Sequence, residues 1–342
     1  MSGEIRTAPA PQCLLCGTEG IRLYHGLRDR LFSAPGEWSH RQCPQGGCGL
    51  IWLDPMPREE DLHKAYETYY THAGEPDRSG APARLFAAAK RGYLAIRFGY
   101  SGGASITERA LGILPFFYPG RTAELDFSVM WLDPEGRGRL LDVGAGSGWL
   151  VEHMNSLGWR AEGVDFDARA VKRARSRGLA VHQGGLPEQR FAAASFDAVT
   201  MSHSLEHVHD PVGWLGEARR ILKSGGRLSI ATPNGRSLLH RRYGAHWFAL
   251  DPPRHLHLFN RASLAAGLRK AGFERFRIFT SVRDANGAWL GSRAIRRTGR
   301  HDMVARPSAP MRVLGRIFQL RESARKTLDP DAGEDLVAIA RK

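Results

Sequence analysis

The strongest constraint on the fold is a glycine-rich turn that follows a short apolar stretch. Leu140 to Gly148 reads LLDVGAGSG and places glycines at 144, 146 and 148. Glycine tolerates the backbone conformations that let such a turn pass close under a ligand. A dinucleotide site would show G-x-G-x-x-G, whereas here the third spacing is shorter and Asp142 precedes the turn. The acidic residue favours a cationic ligand over a pyrophosphate. A tight turn without a ligand and a nicotinamide site are the alternatives.

Apolar segments and helical patterns alternate from Arg139 to the end of the chain. The pattern predicts strands at 139–143, 161–164, 179–182, 196–201, 227–232, 273–281 and 335–341, and helices at 149–157, 167–177, 211–222 and 261–271. This alternation indicates an α/β fold with a Rossmann-like, doubly wound parallel sheet, whose ligand site lies at the carboxyl ends of the strands. Asp165 ends the second predicted strand, where a carboxylate can accept hydrogen bonds from ribose hydroxyls.

All four cysteines lie near the start of the chain, in a C-x2-C pair and a C-x4-C pair. They are Cys13, Cys16, Cys43 and Cys48. Two short pairs predict a tetrahedral zinc site, and Gly17 and Gly49 follow the pairs where turns with positive φ are needed. Four thiolates leave no open coordination position, so we expect a structural zinc ion. Two disulfides or four free thiols are the alternatives, and a cytosolic chain disfavours disulfides.

The chain of 342 residues is long enough for about two domains. We expect a zinc-knuckle module at 1–56, a helical and linker region at 57–137, and an α/β domain at 138–342 with a helical insertion at 285–330 before the last strand. No apolar run reaches the roughly 20 residues of a membrane-spanning helix, and the N-terminus lacks the apolar core of a secretory signal. We therefore expect a cytoplasmic protein.

The net charge of +14 is concentrated in one segment. Residues 285–330 contain ten arginines and lysines against three acidic residues, which is half of the total excess. Such a surface attracts nucleic acid, anionic lipid or acidic substrates, unless it is only a solvated helix face. Met311, Leu314, Ile317 and Phe318 form an apolar stripe in the segment. Packing on the core is the default expectation; a lid, a homodimer contact and an interfacial membrane helix are the alternatives. The apolar centre of 100–122 is expected to be core or a flap, with a membrane-surface contact as its alternative.

These motifs, with Ser195-Phe196-Asp197 and Leu222 to Arg227, resemble those of class I S-adenosylmethionine-dependent methyltransferases over about residues 138–282 and the final strand. The run from Arg41 to Pro55, with Tyr69-Tyr70, is similar to the zinc-knuckle module that precedes many bacterial methyltransferases of sugars and secondary metabolites. One departure is the second cysteine pair, which has four intervening residues where two are usual. The resemblance implies methyl transfer to oxygen or carbon of a sugar, a lipid-linked compound or a secondary metabolite.

The same resemblance implies a set of contacts to the methyl donor. Gly144, Gly146 and Gly148 would face its methionine part, and Asp142 would hold its ammonium group indirectly. Asp165 would bind the ribose. Gly185 and Leu186 would lie near the adenine. The sulfonium would be flanked by Ser202 and His203.

Two further motifs supply candidate catalytic residues. In similar methyltransferases, the pair Glu206-His207 after the fourth strand points toward acceptor or donor. Histidine is a natural general base near neutral pH, so we expect His207 to act as the base, with Glu206 orienting it or the substrate. Alternatively, His207 caps a helix or packs the loop. His255 lies in a P-x-H-x-x-x-F element and is expected to contact the acceptor, to serve as an alternate base or to be a buried structural histidine. His255 and His257 would share a face if extended, although no third metal ligand is evident.

Two other functions compete with a small-molecule methyltransferase. Some ribosomal RNA methyltransferases pair a cysteine-rich zinc ribbon with this fold, and the positive charge fits an RNA partner. Against RNA, the cysteine region has few basic residues and no N-P-P-Y-type tetrad follows the fourth strand. A non-catalytic scaffold of the same fold is the third hypothesis, which the intact glycine turn and the two acidic residues disfavour.

Overall fold

The computed structural model describes residues 4–44, 47–67, 80–100 and 102–342. Tyr69, Tyr70 and most of the predicted linker lie outside the described residues. The strands are β1 (Thr7–Ala8), β2 (Ile21–Leu27), β3 (Trp38–Gln42), β4 (Ile51–Leu53), β5 (Met56–Pro57), β6 (Arg139–Val143), β7 (Arg160–Asp165), β8 (Val181–Gln183), β9 (Phe196–Ser202), β10 (Leu222–Pro233), β11 (His257–Leu258), β12 (Arg275–Ser281) and β13 (Asp335–Arg341). The α-helices are α1 (Ala81–Phe98), α2 (Ile106–Leu111), α3 (Pro119–Phe127), α4 (Trp149–Ser156), α5 (Ala168–Ser176), α6 (Pro211–Ile221), α7 (Leu238–Tyr243), α8 (Arg261–Lys270), α9 (Ala285–Thr298) and α10 (Ala309–Arg325).

Seven of the described strands form one sheet in the order β12-β13-β10-β9-β6-β7-β8. The glycine-rich turn follows β6, which pairs in parallel with β7 on one side and with β9 on the other. β7 in turn pairs in parallel with β8. The side chains of Leu140, Leu141 and Val143 in β6 are almost wholly buried, as expected for a strand covered on both faces. The predicted parallel sheet is confirmed for these strands, although β10 begins at Leu222, before the start of the strand predicted at 227–232.

The chain divides into two compact units. The first unit consists of residues 1–69, 203–216 and 231–338, and the second consists of residues 70–202, 217–230 and 339–342. The second unit therefore contains β6 to β9, the glycine-rich turn and the first nine residues of β10. The first unit contains the cysteines, the Glu206-His207 pair and the helices α7 to α10.

The first unit contains a four-stranded sheet in the order β11-β4-β3-β2. β4 is its centre: Trp52 lies opposite Arg41 of β3 on one side and opposite His257 of β11 on the other, and both pairings are antiparallel. Trp38, Ile51 and neighbouring apolar side chains are buried in the core of this unit. The two-residue strand β11, which lies within the P-x-H-x-x-x-F element, thus completes a sheet whose other strands come from the first 53 residues.

The insertion at 285–330 forms α9 and α10. The Trp289 and Phe318 rings stack between the two helices with centroids 6.0 Å apart. The default expectation that the apolar stripe faces the core is wrong for Leu314 and Ile317, because both side chains are exposed. Gly315, Gln319 and Glu322 occupy the buried face of α10 instead. No helix in the described ranges combines the length and the apolarity that crossing a membrane requires.

The region 57–137, expected to be helical and linker, contains several short helices among its described residues. A 3-10 helix spans Glu59–Tyr66, and the longest helix of the region is α1. The stretch 100–122 contains α2, a 3-10 helix at Leu114–Phe117 and the start of α3. Pro115 is buried there, whereas Phe117 is exposed, so the stretch is not uniformly core.

Candidate active site

The glycine-rich turn joins β6 to α4 in the second unit. Gly144, Gly146 and Gly148 all have positive φ, at +81°, +53° and +85°. A Cβ on Gly148 would lie 2.7 Å from Cδ1 of Leu179 and 3.3 Å from Cβ of Ala174, so a larger residue would have to displace the Leu179 side chain. A Cβ on Gly146 would have no described heavy atom beyond its chain neighbours within 4 Å. The turn is therefore packed tightly at its helix end and faces open space at its centre, where a ligand can approach the backbone.

Asp165 at the end of β7 holds the turn from the side. Its Oδ2 accepts a hydrogen bond from the backbone N–H of Gly146 at 2.7 Å, and its Oδ1 accepts one from Asp167 N–H at 2.8 Å. Burial raises the pKa of Asp165, and these two backbone donors partly offset that effect. Asp165 ends β7 and lies beside the glycine-rich turn, while its expected contact with the ribose stays a prediction.

Asp142 is a buried carboxyl at the end of β6. Thr200 lies opposite it on β9, and its Oγ1 donates a hydrogen bond to Asp142 Oδ1 at 2.8 Å. Burial raises the pKa of Asp142 to about 7, because the Thr200 hydroxyl only partly offsets the loss of water and the charge of Asp165 raises it further. Among the described residues the side-chain carboxylate has no cationic partner. A cationic ligand would stabilise its ionised form, and the ammonium and sulfonium groups of S-adenosylmethionine fit this requirement.

Gly185, Leu186 and Ser202 lie in the same unit, at the carboxyl ends of two further strands of the sheet, whereas His203 belongs to the first unit. Gly185 and Leu186 follow β8, and Ser202 is the last residue of β9. The Gly185 N–H donates to Glu188 Oε2 at 3.1 Å, and the Leu186 side chain is fully buried. Their placement agrees with a donor site at this sheet edge, whereas their contacts with a donor stay a prediction.

His207 lies in a 3-10 helix of the first unit, and its orientation is fixed on one side of the ring. Nδ1 lies 2.9 Å from the carbonyl oxygen of Arg254 and 3.0 Å from the hydroxyl of Tyr66. A carbonyl oxygen can only accept, so Nδ1 carries the proton and the neutral ring presents Nε2 as an acceptor. Burial, together with the charge of His255, lowers the pKa of His207 to about 4. His207 is therefore neutral at pH 7.

His255 repeats this arrangement beside His207. Its Nδ1 lies 2.7 Å from the carbonyl oxygen of Ala249, which can only accept, so Nδ1 carries a proton and Nε2 is the nitrogen left to face another group. The two ring centroids are 4.8 Å apart. One nitrogen of each ring and a carboxylate oxygen of Glu206 all lie within 4.8 Å of one another. The described residues bring His255 together with Glu206 and His207 in this way, and His257 is not part of the cluster.

Glu206 is fully buried and pairs with groups other than His207. Its Oε2 accepts a hydrogen bond from Thr232 Oγ1 at 3.0 Å, and its Oε1 lies 3.4 Å from Nδ1 of His203. Burial alone would raise the pKa of Glu206, but the contact with His203 and the charges of nearby histidines lower it to about 2. Burial would likewise lower the pKa of His203, yet Glu206 and Asp335 raise it. Glu206 thus anchors His203, while Tyr66 and the Arg254 carbonyl orient His207.

A buried arginine connects the segments that carry these histidines. The Arg254 guanidinium is fully buried, and it binds Asp251, Asp29 Oδ2 at 2.9 Å and the Ala65 carbonyl at 3.0 Å. The last of these contacts reaches the 3-10 helix that carries Tyr66. Sequence reasoning missed Arg254 and Tyr66 because their partners are distant along the chain. Thr200 was detectable, since it is two residues from Ser202 on the same strand and shares its face.

The four cysteines converge in the first unit. The Sγ atoms of Cys13 and Cys48 are 3.4 Å apart, as are those of Cys16 and Cys43, and all four sulfurs lie within 4.8 Å of one another. A zinc ion about 2.3 Å from each thiolate would need sulfurs about 3.8 Å apart, so the cluster fits a tetrahedral ion. Gly17 and Gly49 have positive φ, as the turn argument predicts. The Asn260 side chain donates to the carbonyl oxygens of Cys48 and Gly49, which fixes the second cysteine turn.

Several known proteins that are similar to this chain are methyltransferases. A family model described as a methyltransferase domain matches residues 121–276. The ubiquinone biosynthesis O-methyltransferase of Thiobacillus denitrificans is 34% identical over 162 residues, covering 43% of this chain and 70% of the relative. The enzyme of the same name from Xanthomonas oryzae pv. oryzae is 38% identical over 160 residues, covering 43% and 66%. A solved SAM-dependent methyltransferase from Thermotoga maritima is 23% identical and covers 73% of this chain and 99% of that one, with a TM-score of 0.44.

The first of these relatives is matched over more than two thirds of its length, and the match of the family model includes the glycine-rich turn. Asp142 is buried and has no cationic partner among the described residues, which agrees, with the open centre of the turn at Gly146, with a site for a cationic donor. The chain therefore belongs to the class I S-adenosylmethionine-dependent methyltransferases and is an enzyme of that class.

Proposed function

We propose that this enzyme methylates a hydroxyl oxygen of a small-molecule acceptor, such as a sugar, a lipid-linked compound or a secondary metabolite. One observation carries the proposal: His207 and His255 each donate to a backbone carbonyl through Nδ1, so in both rings Nε2 is the nitrogen that can accept a proton. The names of the relatives, which are O-methyltransferases, support oxygen over carbon.

In this proposal S-adenosylmethionine supplies an electrophilic methyl group when bound. The chain's own contribution begins at His207, whose Nε2 accepts the proton of the acceptor hydroxyl and so makes the oxygen a better nucleophile. General base catalysis of this kind contributes about 10²–10⁴-fold in rate. Positioning of the two reactants contributes more, roughly 7–11 kcal/mol when they are well oriented. His255 contacts the acceptor beside His207 or serves as an alternate base.

The donor is bound mainly by residues of the second unit. We assign Gly144, Gly146 and Gly148 to its methionine part, Asp142 to its positive charge and Asp165 to the ribose hydroxyls. Gly185 and Leu186 are assigned to the adenine, and Ser202 and His203 to the neighbourhood of the sulfonium. The four cysteines hold a structural zinc ion in the module at 1–56, and the protein works in the cytoplasm.

The test uses methyl-labelled S-adenosylmethionine with host extract fractionated into nucleic acid, lipid, glycan and small metabolites. The variant His207→Asn is informative because asparagine keeps an N–H near the Nδ1 position for the Arg254 carbonyl but has no group at Nε2. We expect label in a glycan, lipid or metabolite fraction, and at least a 100-fold lower turnover in the variant with unchanged donor affinity.

His209→Gln provides the matched control. His209 lies in the same loop, its Nε2 is 2.7 Å from the Pro57 carbonyl, and glutamine can supply an N–H at a similar reach. We expect its turnover to stay within about threefold of wild type. Label that appears only in RNA would overturn the small-molecule acceptor. Equal turnover in His207→Asn and wild type would remove His207 from the mechanism, and absence of donor binding would favour the scaffold hypothesis.

A further inference from the structure

Helix α10 is amphipathic, but it packs with its polar face inward. Gly315, Gln319 and Glu322 are its buried residues. The Gln319 side-chain amide donates to the carbonyl oxygens of Val282 at 2.6 Å and Arg283 at 2.9 Å. Glu322 Oε1 accepts a hydrogen bond from the backbone N–H of Glu334 at 3.0 Å. These polar contacts fix the rotation of the helix about its own axis.

The opposite face of α10 is apolar and exposed. Val313, Ile317 and Leu320 are spaced at i, i+4 and i+7 and therefore form one stripe along the helix. Their exposed fractions are 54%, 41% and 43%, and Leu328, just beyond the helix, is 80% exposed. Exposed apolar stripes of this length are unusual on a monomeric soluble surface and mark a docking site.

Arginines border this apolar stripe on both sides. At about 100° per residue, Arg312 and Arg316 lie on one flank, and Arg321 and Arg325 lie on the other. All four side chains are exposed. The preceding segment adds an open groove of about 440 Å³ whose lining includes four more arginines at 293, 297, 300 and 306. An apolar stripe flanked by arginines is typical of helices that lie in the interface of a membrane.

The charges beside the apolar stripe indicate which kind of partner binds to this surface. Two copies of the chain that paired through the stripe would bring eight flanking arginines together, and like charges at an interface oppose association. Anionic phospholipid headgroups complement the same arginines, while the acyl boundary accepts the apolar side chains. We propose that the apolar stripe of α10 and its flanking arginines dock this enzyme on an anionic membrane surface.

The test is co-sedimentation of the full-length protein with two kinds of vesicle, phosphatidylcholine alone and phosphatidylcholine with 30 mol% phosphatidylglycerol, at about physiological salt. We expect at least tenfold tighter binding to the anionic vesicles and release as the salt concentration rises. The double variant Ile317→Ser/Leu320→Ser should lose at least tenfold in vesicle affinity. Arg312→Gln/Arg316→Gln should lose about tenfold or more, since each arginine near an anionic surface contributes about fivefold.

Phe117→Ser is the matched control, because Phe117 is an 80% exposed apolar residue in the other candidate membrane segment, 100–122. We expect it to bind anionic vesicles like wild type. All three variants should keep wild-type donor affinity and thermal stability, which shows that they are folded. The proposal is overturned if wild type does not prefer anionic vesicles, or if Phe117→Ser loses as much affinity as the α10 variants. It is also overturned if light scattering finds a dimer that Ile317→Ser/Leu320→Ser dissociates, since the stripe would then bind a second copy.

Discussion

Gly146→Ala tests the donor site directly, and Gly225→Ala is its matched control. Both glycines have positive φ, at +53° and +75°, and a Cβ at either position would find no described heavy atom beyond the chain neighbours within 4 Å. The backbone N–H groups of both are also hydrogen-bonded, Gly146 to Asp165 and Gly225 to the Lys342 carbonyl. The two substitutions therefore introduce the same backbone strain without a steric clash in the unliganded protein.

The magnitudes separate stability from binding. An alanine in the left-handed region costs about 1–2 kcal/mol relative to glycine, so both variants should lose about that much unfolding free energy. Only the methyl group at Gly146 would enter the space assigned to the donor. Overpacking by one methyl group costs about 1–3 kcal/mol, which corresponds to a donor affinity lower by about fivefold to 150-fold. Gly225→Ala should bind the donor as wild type does.

Calorimetric titration with S-adenosylmethionine and chemical unfolding of each variant give the two quantities. Gly148→Ala extends the series, because its Cβ would lie 2.7 Å from Leu179 Cδ1 and should lower stability more than the other two substitutions. If Gly146→Ala bound the donor within twofold of wild type, the centre of the turn would not face the donor. Equal losses of affinity in Gly146→Ala and Gly225→Ala would attribute the effect to backbone strain alone.

Three further predictions concern charge and metal. Because the donor is cationic and the pKa of Asp142 is about 7, donor affinity should fall by up to tenfold for each pH unit below 7. Asp142→Asn should remove this pH dependence, and calorimetry of both proteins at pH 5.5 to 8.5 measures it. Burial raises the pKa of Glu334 to about 8, above the value of about 4.3 expected in the unfolded chain. Between these two pH values the folded protein binds one proton more than the unfolded chain, so the unfolding free energy should fall as the pH rises from about 4.3 to about 8. Glu334→Gln, which keeps an acceptor for Trp247 Nε1, should flatten the unfolding free energy between pH 6 and 8.5, and an unchanged slope would contradict the assignment. Removal of zinc by a chelator, or Cys13→Ser, should lower the melting temperature without a selective loss of turnover, and a protein without bound zinc that melts at an unchanged temperature would contradict the zinc site.

The parallel sheet was predictable because local signals and the global fold agree there. Buried strands such as β6 and β9 are short apolar runs, and the glycine-rich turn marks the change from strand to helix. The boundaries of β6 and β13 agree with the prediction to the residue. The positions of Asp142 and Asp165 follow from these boundaries, since both residues lie at the carboxyl ends of parallel strands.

The acceptor side was less predictable because its contacts join distant parts of the chain. Tyr66 and His207 are 141 residues apart, and Arg254 reaches Asp29 across 225 residues. No periodicity or motif specifies such pairs. The prediction of which face of α10 is buried was wrong for a different reason. An apolar stripe normally indicates the buried side of a helix, but here the hydrogen bonds of Gln319 and Glu322 hold the polar side against the rest of the first unit.

Two buried carboxyls with opposite pKa shifts show how the donor and acceptor residues differ electrostatically. Burial disfavours the ionised form of both Asp142 and Glu206. His203 and the nearby histidines compensate Glu206, so its charge is already satisfied within the protein. Within the part of the chain that the structure describes, Asp142 receives the neutral hydroxyl of Thr200 and no cationic group, so a bound cation would compensate its charge. A ligand that brings a positive charge stabilises the ionised carboxylate of Asp142, whereas a neutral or anionic ligand of the same shape does not. On this argument Asp142 contributes to donor binding through its charge, whereas Glu206 is already compensated and contributes by holding His203 in place.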